Sequence, residues 1–88
     1  MGQTSNKKTR SKVEIPDFAK HQLVSIGVRV KQLREEKTGD SYEVFAVKNG
    51  INRISQYRME AGSNFQMVNL LKVCKGLGVS LEDFFKGL

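Results

Sequence analysis

Three observations predict that this 88-residue chain folds as one compact all-α domain of five helices. Apolar residues recur every three or four positions in two long segments, the spacing of a buried helix face. Glycine or a short polar residue punctuates the chain where such segments end. No run alternates with period two for long enough to specify a strand. A chain of this length buries roughly 60–65 % of its unfolded surface, which supports one modest core but not a core and a deep substrate cleft. Its hydrophobic fraction is 39 % before its eight glycines are added, and the sum reaches the roughly 45–50 % of soluble globular domains, so the chain should fold.

The elements follow in order. Pro16 ends an N-terminal arm, and Asp17 is placed to cap a first helix that begins at Phe18 and runs over about 17–37. Leu23, Ile26, Val30 and Leu33 mark its buried face, while Arg29, Lys31, Gln32, Arg34, Glu35 and Glu36 fall largely outside it. Gly39 stops this helix, and Asp40 or Ser41 can cap a short second one over about 41–48, containing Val44, Phe45, Ala46 and Val47. Asn49-Gly50 then breaks the chain. Asn52 is placed to cap a third helix that ends at about Ala61, before Gly62. Met67, Leu70, Leu71, Cys74 and Leu77 give the clearest periodicity and define a fourth helix, closed by Gly78. Val79 packs as a staple, and Ser80-Leu81-Glu82-Asp83 has the acid of a capping box ahead of Phe84 and Phe85, giving a fifth helix over about 80–86.

The net charge of +6 is unevenly placed. Lys7, Lys8, Arg10 and Lys12 sit in residues 1–12 with no acid, which accounts for +4 of it. The arm, residues 1–16, has almost nothing apolar to bury and is expected to be disordered, leaving 17–88 as the folded domain. A solubilising tail and an arm that follows a nucleic-acid backbone are both open readings of it. The lone Cys74 cannot form an intramolecular disulfide, and no apolar run is long enough for a membrane span or a signal peptide, so a cytoplasmic setting without membrane association is expected. Met1-Gly2 invites a myristoylation reading, but Asn6 stands where that motif wants Ser or Thr. His21 has no second ligand at metal-binding spacing, and no acid pair or phosphate-cradling loop is placed for chemistry. Neither metal, cofactor nor enzymatic activity is expected.

Two short helices separated by about three residues, with Ala46 in the first and Gly50 in the connection, describe a helix-turn-helix over about 41–61. The small side chain lets the two axes approach closely at a steep angle. Together with Ile26 through Arg34, Glu60 and Gly62, and the closing run Leu70 through Phe85, this pattern resembles the Xre or Cro/lambda-repressor type of helix-turn-helix domain over some two-thirds of the chain. The resemblance implies a lambda-repressor-like fold that binds double-stranded DNA, with the third helix, about 52–61, in the major groove. Carried across position by position, Arg53, Ile54, Tyr57 and Arg58 would face the groove. An arginine can bind guanine O6 and N7, Ile54 a thymine methyl, and Tyr57 a base or phosphate. Ser41 and Asn52, as N-caps, would present backbone N–H groups to phosphates, with Lys37, Lys48 and the four cations of the arm as further backbone contacts. Glu60 is expected to hold the fold through an ion pair with an arginine of the first helix.

Four positions depart from that family's pattern. Tyr42 replaces a glutamine that steadies the reading helix against phosphate; Asn49 and Gln56 replace facing apolar residues; and Ser63-Asn64-Phe65 replaces a more basic loop. Paired polar substitution implies compensation, so Gln56 should be hydrogen-bonded to Asn49 or nearby backbone. Phe84, Phe85 and Leu88 form the expected homodimer surface of a transcriptional regulator. Val44 and Val47 are apolar where the second helix should face solvent, which favours a second reading, a protein-interaction module such as the antitoxin of a toxin–antitoxin pair. The weakly basic loop shifts phosphate neutralisation towards the arm. Deleting residues 1–12 should therefore weaken binding to all DNA sequences and flatten its salt dependence; an unchanged salt slope in a titration of the shortened chain would reject this role.

Overall fold

The computed structural model describes residues 14–88. The expected arm, with Lys7, Lys8, Arg10 and Lys12, thus lies mostly outside the described residues. Five helices follow, α1 (Asp17–Lys37), α2 (Tyr42–Lys48), α3 (Arg53–Glu60), α4 (Met67–Leu77) and α5 (Leu81–Phe85), with no strand among the described residues. The all-α, five-helix fold is as the periodicity predicts.

The first helix corrects one expectation at its start. Pro16, in an extended conformation, is the N-cap, and its carbonyl accepts from the N–H groups of Ala19 and Lys20, both at 3.0 Å. Asp17 is instead the first helical residue, where its negative charge complements the helix dipole. Further along, α1 turns Gly27, Val30, Leu33 and Arg34 inward, so Arg34 leaves the solvent face assigned to it. A Cβ on Gly27 would collide with the backbone carbonyl of Met59 and lie 2.7 Å from that of Glu60. Glycine in the middle of this helix, ordinarily a weakness, is what allows α3 to approach so closely.

Local chemistry sets the remaining helix ends. Ser41 Oγ accepts from the Val44 N–H at 3.2 Å, starting α2, and Gly50 at φ 69° reverses the chain after it. Asn52 Oδ1 accepts from the N–H groups of both Ile54 and Ser55, at 2.9 and 3.1 Å, starting α3. Ser80 Oγ does the same for Asp83 at 3.0 Å in α5. The far end of α5 is closed from a distance. Arg29 of α1 donates from Nε to the Phe84 carbonyl at 3.0 Å and from Nη2 to that of Asp83 at 3.2 Å.

The core consists of Val30, Leu33, Phe45, Ala46, Ile51, Met59, Leu70, Val73, Cys74, Leu77 and Phe84. Its composition rotates α4 relative to the expected stripe. Leu70, Val73, Cys74 and Leu77 point inward, whereas Met67 and Leu71 are exposed beside Val68. Burial raises the Cys74 thiol above its ordinary pKa, so it stays protonated near neutrality. Asn49 does not meet Gln56: its side chain lies against Gly76 of α4, where a Cβ would collide with Asn49 Oδ1, and its Nδ2 donates to the Phe45 carbonyl at 2.7 Å.

Because the obstacle at Gly27 is backbone on both counts, no side-chain rotation can relieve it. Gly27→Ala should destabilise the domain by roughly 1–3 kcal/mol or more in denaturant unfolding, despite the higher helix propensity of alanine; a neutral or stabilising effect would show that the α1–α3 contact is looser than described.

Candidate nucleic-acid interface

The outer face of α3 follows from its two inner residues. Gln56 and Met59 are wholly buried, which turns Arg53, Ile54, Tyr57 and Arg58 to solvent over an arc of about 140° at the helical increment of ~100° per residue. Ile54 and Tyr57 are 60 % and 55 % exposed. Arg53, Ile54 and Tyr57 share an open pocket with Tyr42 and Glu43 of α2. There the rings of Tyr42 and Tyr57 lie 5.5 Å apart, centroid to centroid, with planes inclined by 51°.

Arg58 stands apart from that pocket. It lines a second, more polar groove with Ser55, Asn64, Phe65, Gln66 and Asn69, between α3 and the start of α4. The four residues expected to face DNA therefore divide into three around one pocket and a separate cation in the adjoining groove. Ser55 and Asn69 were not singled out by the sequence, because an isolated Ser or Asn on a helix carries no motif. Asn52 caps α3 as expected, its Oδ1 accepting from the Ile54 and Ser55 N–H groups. Lys37 is exposed, while Lys48 Nζ lies 3.1 Å from Asp40 Oδ2. Lys72 of α4 donates to the Gly50 carbonyl at 2.9 Å, placing a cation at the turn between the two helices.

Behind the exposed arc lies a buried ion pair. Arg34 of α1 donates from Nε to Glu60 Oε2 at 2.7 Å and from Nη2 to Oε1 at 2.8 Å, with only 6 % and 8 % of the two side chains exposed. Its Nη1 donates to the Asp40 carbonyl at 2.6 Å, ahead of α2. Hydrogen bonding to Glu60 raises the pKa of the guanidinium against the opposing effect of burial, so it remains charged. Gln56 joins this pair rather than Asn49 or the backbone, with Nε2 donating to Glu60 Oε2 at 2.9 Å. Its Oε1 is buried without a hydrogen-bond partner, so the expected compensation is only half made.

The remaining candidates divide by burial. Phe84 is fully enclosed in the core and cannot form a dimer surface. Phe85 and Leu88 are exposed, at 39 % and 49 %. Val44 and Val47 are exposed as expected, and with Glu43, Lys48 and Arg53 they line a shallow apolar depression that shares Glu43 and Arg53 with the first pocket. Among the described residues, no three His, Cys, Asp or Glu side chains are grouped to hold a metal ion, and no helix is long and apolar enough to cross a membrane.

Over 66 residues the chain is 36 % identical to "Control protein C.MunI" of Mycoplasma sp, a match that covers 74 % of this chain and 89 % of that protein. No family model and no solved structure matches it. The ion pair yields a prediction of its own. Glu60→Ala leaves the Arg34 charge buried and unpaired, and should cost about 3–5 kcal/mol of stability in denaturant unfolding; a loss below about 1 kcal/mol would mean that α3 is held by other contacts.

Proposed function

The chain belongs to the same family as the control protein C.MunI, and from that premise we propose that it is a helix-turn-helix regulator that binds double-stranded DNA sequence-specifically, as a homodimer, with α3 in the major groove. The observation that carries this reading is the face of α3. Arg53, Ile54 and Tyr57 project together from a helix whose inner side is locked to α1 by the Arg34–Glu60 pair. A guanidinium, a branched apolar group and a phenol side by side can meet guanine acceptors, a thymine methyl and a further base or phosphate. Arg58, in its adjoining groove with Ser55 and Asn64, suits a phosphate contact better than a base. Ser41 and Asn52, the N-caps of α2 and α3, would lie along the backbone, with Lys37, Lys48 and the arm's Lys7, Lys8, Arg10 and Lys12 as weaker electrostatic contacts, while Tyr42 stands beside Tyr57 at the edge of the same face.

The proposed dimer surface includes the exposed Phe85 and Leu88; Met67, Val68 and Leu71 of α4 are exposed apolar residues as well. A two-fold molecule of this kind reads half-sites about one helical turn apart. The exposure of Val44 and Val47 supports a second reading, in which α2 carries a protein partner and DNA binding is subordinate.

Selection from random duplex DNA separates the two. The DNA reading expects a two-fold symmetric site with half-sites about 10 base pairs apart, for which Arg53→Ala costs roughly 1–3 kcal/mol and relaxes preference at one position per half-site. Failure to enrich any motif would favour the interaction module, and a single asymmetric half-site would count against the dimer.

A further inference from the structure

We propose that Tyr42 is a positioning residue for Tyr57: it sets the base preference at one position of the site by confining the Tyr57 ring, without reading a base itself. The proposal rests on the DNA-binding reading above.

A tyrosine standing free on a helix surface exchanges between rotamers, and its hydroxyl sweeps an area wide enough to reach a base edge or a phosphate. Freezing such a side chain on binding is unfavourable and selects weakly among partners. Tyr57 is 55 % exposed but does not stand free. Tyr42, from the first turn of α2, places its ring centroid 5.5 Å from that of Tyr57 at an inclination of 51°, within the range of favourable aromatic pairs.

Tyr42 is itself half-buried, and with Tyr57 it lines two cavities. One is the open pocket of the reading face, shared with Arg53 and Ile54. The other contains Lys31 and the buried partners Arg34 and Glu60. The two rings are thus shared between the reading surface and the cavity at the ion pair that anchors α3. A ring confined on the α2 side and rooted on a locked helix presents its hydroxyl in one direction, which is the requirement for discriminating between base edges.

The test uses the full 88-residue chain and the duplex it selects from random DNA, together with duplexes carrying each single base-pair change. Tyr57→Leu is expected to reduce discrimination at one base pair, and Tyr42→Leu to reduce it at the same base pair by roughly 2- to 12-fold, the value of one aromatic pair. The double variant should lose no more there than Tyr57→Leu alone, and Tyr42→Phe should keep the preference because it keeps the ring. Equal weakening by Tyr42→Leu on every duplex, or loss of the preference in Tyr42→Phe, would assign Tyr42 to a direct phosphate or base contact and overturn the proposal. A measurement independent of any variant's folding is the nuclear magnetic resonance of the unbound wild-type chain. A single Tyr57 χ1 rotamer with ring-to-ring contacts to Tyr42 supports confinement, and an averaged χ1 overturns it. If the wild type enriches no site, the DNA reading falls and takes this assignment with it; if it enriches one and Tyr42→Leu keeps every preference, only the assignment falls.

Discussion

The placement of α3 depends on the bidentate ion pair between Arg34 and Glu60. A buried pair of this kind is a poor source of net stability, since both charges must first be stripped of water. What it supplies is direction. The planar fork of the guanidinium accepts a carboxylate in few orientations, and here its third nitrogen is also committed to the carbonyl of Asp40. One side chain therefore fixes α1, the last turn of α3 and the entry to α2 relative to one another. Two helical turns earlier on the same face, Gly27 lets the backbone of Met59 and Glu60 come into contact with α1. The glycine sets the distance between the helices and the arginine sets their rotation.

Most of the fold was legible because its determinants are local. Caps at Ser41, Asn52 and Ser80 and the turn at Gly50 act over three or four residues, and a reader of sequence sees that range directly. What escaped depends on contacts between distant segments. Arg34 follows Leu33 and looks like a solvated charge until its partner 26 residues away is known, even though an arginine of the first helix was the expected partner of Glu60. Arg29 closing the end of α5 lies 55 residues from the carbonyl it meets. The stripe on α4 contained one apolar residue too many on each flank, so period alone could not decide whether Leu71 or Val73 faced inward. Phe84 and Phe85 are neighbours of one residue type, and only the packing of α5 separates the core member from the surface one.

The candidate site shows the same division. That Arg53, Ile54, Tyr57 and Arg58 would lie on the outer face of α3 came from the resemblance, and the burial of Gln56 and Met59 exposes all four. The separation of Arg58 from the other three was not legible, because it depends on the loop through Asn64 and Phe65 and the start of α4. Gln56 was rightly expected to be bonded, but its partner lies one turn along its own helix and not across the motif. The polar departures at Asn49 and Gln56 are therefore separate adaptations, one to Gly76 and one to Glu60.

At eight residues, α3 is too short to persist as a helix in isolation. Its shape is borrowed from the rest of the domain, and so is the angle at which it is offered to a partner. On the proposed DNA reading, substitutions in α1, far from the outer arc, would tilt that angle and shift the affinity for every target at once, while changes on the arc would redistribute affinity among targets. Strength and choice of binding would then be tuned from different helices, one with little disturbance of the other.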